Sequence, residues 1–398
     1  MRTDTTKTSA QQKPMAKRMA DIQPFYVMDI LARAREMEAA GQSVVHLEIG
    51  EPDFATPQPV IAAGERALQQ QLTHYTPALG LPELRKAIAN YYQTKFNVSV
   101  PWERIIITPG ASGALQLALG VLVDPGQQVL MADPGYPCNR HFVRLFEGRS
   151  LSVPVNSDSA YQLTARHIEQ YWNENTIAAM LASPSNPTGT LVSKNEMCAI
   201  AANVAQRQGS LLVDEIYQGL VYDSDEYTTL SLTDQAFVVN SFSKYFGMTG
   251  WRLGWLVVPD DYVDAVDKLA QNIFLAAPTL SQYAALEAFS VETQGILQQR
   301  RNEFRIRRDY LLPALRDLGF NIPLTPQGAF YIYADCSRFT EDSHQFVQDI
   351  LRDAGVAITP GIDFGEHRAK QHVRFAYTRS VDVLEQAVQR LSVFLKNR

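Results

Sequence analysis

Two hydrophobic patterns alternate along residues 57–260. In the first, apolar positions recur every three or four residues, which predicts helices over 59–70, 82–95 and 193–208. The last of these opens on Ser193-Lys194-Asn195-Glu196, spaced for a reciprocal cap, and meets Gly209 where a helix stops. In the second, short apolar runs stand between the helical stretches, at 104–108, 128–132, 177–181, 211–213, 237–240 and 253–258. Runs that are apolar on both faces and separated by helices imply an α/β fold, with a mainly parallel sheet sandwiched by helices. From about residue 295 the pattern changes, and long amphipathic helices surround strand patterns at 329–333 and 372–377. That reads as a second, smaller α+β domain. The expected division is a large domain over 55–295 and a small one built from 21–54 and 296–398. A chain of 398 residues suits such a pair better than one small core.

Residues 1–20 break both patterns. They are polar, with Arg2, Lys7, Lys13, Lys17 and Arg18 against Asp4, and lack the apolar centre of a secretory signal. A disordered tail is expected there. The net charge of -6 gives no electrostatic reason to expect nucleic acid or an anionic membrane. No apolar run approaches the roughly 18 residues of a membrane span. Cys138, Cys198 and Cys336 show neither metal-ligand nor disulfide-framework spacing, so no metal is expected and the chain fits a reducing cytoplasm.

In open α/β sheets, ligands sit beyond the carboxyl ends of the strands. Five polar segments fall there: Thr108-Pro109-Gly110-Ala111-Ser112-Gly113, Asp133-Pro134-Gly135-Tyr136-Pro137, Ser183-Pro184-Ser185-Asn186-Pro187-Thr188-Gly189, Asp214, and Ser241-Phe242-Ser243-Lys244. The small residues Gly110, Ala111 and Ser112 open a helix, where backbone N–H groups favour an anion such as a phosphate. Ser241 and Arg252 could add hydrogen bonds to it, although an arginine is more often a surface or ion-paired residue. Asp214 ends an apolar strand, and a buried carboxylate needs a cation or several donors. A protonated ring nitrogen would serve, and so would a helix cap or a structural ion pair. Tyr217 is placed one helical turn later. Tyr136 could stack on a flat ring or simply pack. Asn186 could donate to a phenolate-like oxygen or only form a turn. Most lysines are solvated charges. Lys244, however, follows a buried strand, where lost hydration would lower its pKa and suit Schiff-base chemistry.

The run from Ser241 to Gly254, Ser-Phe-Ser-Lys-Tyr-Phe-Gly-Met-Thr-Gly-Trp-Arg-Leu-Gly, resembles the cofactor-lysine motif of the class I/II aminotransferases. These belong to the fold-type-I pyridoxal-phosphate (PLP) enzymes, the aspartate aminotransferase superfamily. Further matches are Gly50-Glu51-Pro52-Asp53-Phe54, Tyr75-Thr76-Pro77-Ala78-Leu79-Gly80, the Asn186 turn, Asp214-Glu215-Ile216-Tyr217 and Val373-Arg374-Phe375. The resemblance implies that Lys244 forms a Schiff base with the cofactor and then moves a proton between the substrate Cα and C4′. It implies that Asp214 holds the pyridine nitrogen protonated and that Asn186 and Tyr217 bind the 3′ oxygen. Gly110, Ala111, Ser112, Ser241 and Arg252 would hold the phosphate, and Tyr136 would stack on the ring. Tyr75 would reach the cofactor of a second subunit, so a homodimer is implied. Arg374 would pair with the substrate α-carboxylate, with Asn186 and the backbone of Gly50.

The implied reaction moves the amino group of an α-amino acid to a 2-oxo acid. A lysine that serves distal carboxylates in one subgroup is replaced here by Ser112, and Phe25, Tyr26 and Val27 offer apolar surface. A neutral, aromatic or broad donor range is therefore expected, with 2-oxoglutarate or pyruvate as acceptor. C–S β-elimination and an aspartate aminotransferase are the alternatives, since one such site supports several reactions.

Overall fold

The computed structural model describes residues 15–398. Its centre is a seven-stranded sheet in the spatial order 105–108, 254–257, 236–241, 210–214, 176–182, 128–133, 149–154. Gly254–Val257 runs antiparallel to both neighbours, and the remaining pairs are parallel. Because Ile105–Thr108 and Ala236–Ser241 both oppose Gly254–Val257, they point the same way.

The strands form where the apolar runs lie because both faces of the sheet are covered. Leu211 and Val213 pack into one core with Leu130, Leu181 and Val238. Leu212, between them, packs into the other with Val129, Phe237 and Leu256. Alternate side chains of a strand point to opposite faces, so a sheet buried on both sides reads as a continuous apolar run. Arg149–Pro154 escaped the sequence reading for the same reason. It is a half-exposed edge strand, Arg-Ser-Leu-Ser-Val-Pro, paired on one side only.

The predicted helices form as Gln58–Gln69, Pro82–Phe96 and Lys194–Gln206. The expected reciprocal cap at Ser193 is half made. Ser193 Oγ accepts from the Glu196 N–H at 3.2 Å, but Glu196 Oε1 instead accepts from the Ala165 N–H at 2.6 Å. The carboxylate is thus spent on tying this helix to the start of the preceding one, Ala165–Tyr171.

Beyond the large sheet, Tyr331–Asp335, His372–Ala376 and Thr359–Pro360 form an antiparallel sheet, ordered 359–360, 372–376, 331–335. Val45–His46 pairs in parallel with Val356–Ala357, which joins an N-terminal segment to the C-terminal part of the chain. Most of the expected N-terminal tail lies outside the described residues. Lys17–Ala20, inside its expected bounds, instead forms a 3-10 turn. Arg18 donates to the Leu145 carbonyl at 3.3 Å and Asp21 pairs with Arg144 at 2.7 Å, so this stretch is fastened to the end of the helix Pro137–Leu145. Among the described residues no helix is long and apolar enough to cross a membrane.

Candidate active site

Five strands end on the same edge of the large sheet, at Thr108, Asp133, Ala182, Asp214 and Ser241. The segments that follow them surround a cavity of about 270 Å³. Of the residues singled out in the sequence, Gly50, Ala111, Ser112, Tyr136, Asn186, Asp214, Tyr217, Ser241, Lys244, Arg252 and Arg374 line it. Gly110 lies one residue behind Ala111. Tyr75 is not brought there and is 82% exposed.

One end of the cavity is built for an anion. The helix Gly110–Leu122 starts there, with Gly110 at φ +70. A Cβ on Gly110 would stand 2.8 Å from Arg252 Nη2, so the absence of a side chain lets the guanidinium lie against the helix start. A Cβ on Gly254 would meet the backbone of Gly110 and Ala111 at 2.8 and 2.9 Å, which explains why that strand begins on glycine. Ser241 Oγ accepts from the Ser243 N–H at 3.0 Å and lies 2.9 Å from Ser243 Oγ. Free helix N–H groups, a guanidinium and hydroxyls at one point attract a phosphate-like group.

Lys244 and Asp214 form the middle. Lys244 follows Ala236–Ser241 and donates from Nζ to the Gly50 carbonyl at 2.7 Å. Burial pushes its pKa down to about 8; Arg374 and Arg252 push the same way, while Glu51 and Asp214 oppose. Asp214 ends Ser210–Asp214, and burial pushes its carboxyl up to about 6 against the Ile216 hydrogen bond and Lys244. The Ile216 N–H donates to Asp214 Oδ1 at 3.0 Å, and among the described residues no cation lies within ion-pair distance of it. Neither alternative partner considered from sequence, a helix to cap or an ion pair, is present. The residues after Asp214 make a turn, not a helix, so Tyr217 reaches the cavity by that turn. Gly219, at φ +92, closes the turn against the Tyr245 ring, where a Cβ would come within 2.3 Å.

The other end is arranged around Arg374, which is 5% exposed. Its Nη1 donates to Asn186 Oδ1 at 2.9 Å, and its Nη2 donates to Thr359 Oγ1 at 3.2 Å and to the Glu48 carbonyl. Tyr331 and Phe364 flank the guanidinium, 4.4 and 4.9 Å from their ring centres. Among the described residues all its acceptors are neutral, and Nε is buried without one. A buried cation without a hydrogen-bonded counter-ion costs free energy, so this end could take up an anion. Tyr217 Oη lies 2.8 Å from Tyr331 Oη, and a Cβ on Gly50 would fall 2.0 Å from Tyr331 Oη.

Tyr331, Thr359, Asp363 and Phe364 line the cavity and were not anticipated. Tyr331 lies in a strand pattern that reads as packing. Thr359 and Phe364 become neighbours of Arg374 only through the pairing Thr359↔Arg374, and no local motif signals that.

The chain matches the family described as aminotransferase class I and II over residues 42–391. It is 39% identical over 381 residues to the valine–pyruvate aminotransferase of Mycobacterium tuberculosis, covering 95% of this chain and 98% of that protein. It is 36% identical over 384 residues to the (5-formylfuran-3-yl)methyl phosphate transaminase of Methanocaldococcus jannaschii, covering 96% and 99%. The structure of the aspartate aminotransferase of Thermus thermophilus with maleate superposes with a TM-score of 0.91 at 31% identity, covering 96% of this chain and 99% of that one.

Proposed function

The chain belongs to the class I and II aminotransferases, a family that uses PLP, and from that premise we propose that it holds PLP through Lys244 and takes neutral or aromatic α-amino acids as donors. It is an aminotransferase of the aspartate aminotransferase fold, acting on amino acid and oxo acid substrates. The observation that carries the reading is the convergence of three buried ionisable groups on one cavity. These are the Lys244 amine, the Asp214 carboxylate and the Arg374 guanidinium, none of which has an ion-pair partner within 4 Å among the described residues.

The residues fit the cofactor. The start of Gly110–Leu122, with Ala111, Ser112, Ser241 and Arg252, would hold its phosphate in a cradle that a Cβ on Gly110 would fill. Asp214 would hold the proton on the ring nitrogen, and Tyr136 would cover a ring face. Asn186 spends Oδ1 on Arg374, which leaves its amide N–H groups for the 3′ oxygen beside Tyr217 Oη. When bound, PLP supplies the carbonyl that condenses with amines and the ring that takes up an electron pair from Cα.

The chain's own groups do the rest. Arg374 fixes the substrate α-carboxylate by a bidentate pair and so fixes which bond of Cα faces Lys244. With its pKa near 8, Lys244 Nζ holds a large neutral fraction near pH 8 and can take the Cα proton and return it to C4′. Tyr75 would contribute from a second subunit, in a homodimer.

Support for a neutral donor comes from the remaining wall. Phe25, Val27, Met28 and Ile216 line the cavity, and its lining cations are Lys244, Arg252 and Arg374, each with a role above. Among the described residues no lining cation is left for a distal carboxylate. A donor screen on the PLP-bound enzyme, followed by the half-reaction absorbance change, should give kcat/KM for alanine, leucine or phenylalanine at least equal to that for aspartate. A preference for aspartate of more than about tenfold, worth about 1.4 kcal/mol, would remove the reading.

A further inference from the structure

We infer that Asp363 is a positioning residue for specificity: its carboxylate caps the helix Tyr26–Ala39 and thereby sets the apolar wall against which the donor side chain packs. This rests on the neutral-donor reading above. The helix starts at Tyr26 with Phe25 in the cap position, and no side chain of its own segment satisfies its first N–H groups. Asp363 does so from the other end of the chain. Its Oδ1 accepts from the Tyr26 N–H at 2.8 Å and its Oδ2 from the Val27 N–H at 2.9 Å. One carboxylate thus answers two orphan donors, where it is also favoured by the helix dipole. The residues fixed by this contact, Phe25, Val27 and Met28, are those that line the cavity.

Asp363 is itself held rigidly. It is 4% exposed and ends the 3-10 turn Gly361–Asp363, directly after the strand Thr359–Pro360, which pairs with the strand carrying Arg374. Arg140 donates to the Asp363 carbonyl. Three residues on, the Asp133 carboxylate accepts from the Glu366 N–H at 3.0 Å and the His367 N–H at 3.2 Å. A Cβ on Gly365 would stand 1.7 Å from Asp133 Oδ1, so the turn closes only over glycine. Residues 361–367 therefore span from the Arg374 strand to the large sheet, and Asp363 transmits their position to the wall. Phe364, next to Asp363, lies against Arg374, so the group that binds the carboxylate and the group that sets the wall are adjacent in sequence.

The test compares donors of different reach in PLP-bound Asp363→Ala. Loss of such a cap weakens a helix start by about tenfold in equilibrium constant. KM for leucine and phenylalanine should rise by about tenfold with kcat nearly unchanged, while alanine, which does not reach the wall, stays within about twofold. Asp363→Asn keeps an acceptor for one N–H and should recover part of the loss. Hydrogen exchange of the Tyr26 and Val27 amides should quicken by about the same factor, with the central sheet unchanged. Equal losses for alanine and leucine, or unaltered exchange at these amides, would overturn the inference. A preference for aspartate of more than about tenfold refutes the donor reading, and the exchange arm then still decides whether Asp363 holds the wall.

Discussion

Lys244→Ala is expected to leave a folded protein whose kcat is at least about 10⁴-fold below that of the unmodified enzyme, since both a nucleophile and a proton-transfer group are lost. Among the described residues no other lysine lines the cavity. Its side chain makes one hydrogen bond, to the Gly50 carbonyl, and removing it leaves that oxygen facing the cavity. The cost to stability is therefore small, and the melting temperature should move little. The absorbance of the lysine-bound cofactor should vanish while the phosphate end still binds PLP, because Gly110–Leu122, Ser241 and Arg252 do not depend on Lys244. Steady-state kinetics with an absorbance spectrum checks both parts. A variant that transaminates at the unmodified rate would remove Lys244 from the chemistry.

Arg374→Ala should strike binding. Truncating one partner of a buried hydrogen-bonded charge pair costs about 2–5 kcal/mol, so KM for amino donors should rise roughly 30- to 4,000-fold. Some loss in kcat should accompany it, because Arg374 also orients Asn186 through the 2.9 Å bond to Oδ1. Arg374→Lys separates the two effects. It keeps the charge but not the planar fork that reaches Asn186, Thr359 and the Glu48 carbonyl together, so its KM should fall between the two. Titration of donor and acceptor concentrations is the measurement. An unchanged KM would place the substrate carboxylate elsewhere.

The sequence revealed those parts of the fold where burial forces a simple pattern. Leu211, Leu212 and Val213 feed two cores at once, so their strand shows as an apolar run. Arg149–Pro154 is half exposed and alternates, so it does not. The site was readable for a related reason. Residues that follow strand ends, such as Asp214 and Lys244, are placed by the sheet itself, and the glycines at 110 and 254 record a close backbone approach. The carboxylate end was readable only through resemblance. Tyr331, Thr359 and Phe364 join Arg374 through strand pairing, and the contacts of Asp363 with Tyr26 and Val27 span more than 300 residues. Such contacts leave no local trace. Family similarity does not choose the donor either, because the relatives described above act on different compounds.

The most direct measurement is borohydride reduction of the PLP-bound protein followed by mass analysis of its peptides. Reduction makes a lysine–cofactor bond permanent. A phosphopyridoxyl group on the peptide containing Lys244, and its loss when the enzyme is first treated with an excess of amino donor, is the expected result. A label confined to another lysine, or no label on a protein that has bound PLP, would contradict Lys244 as the reactive group.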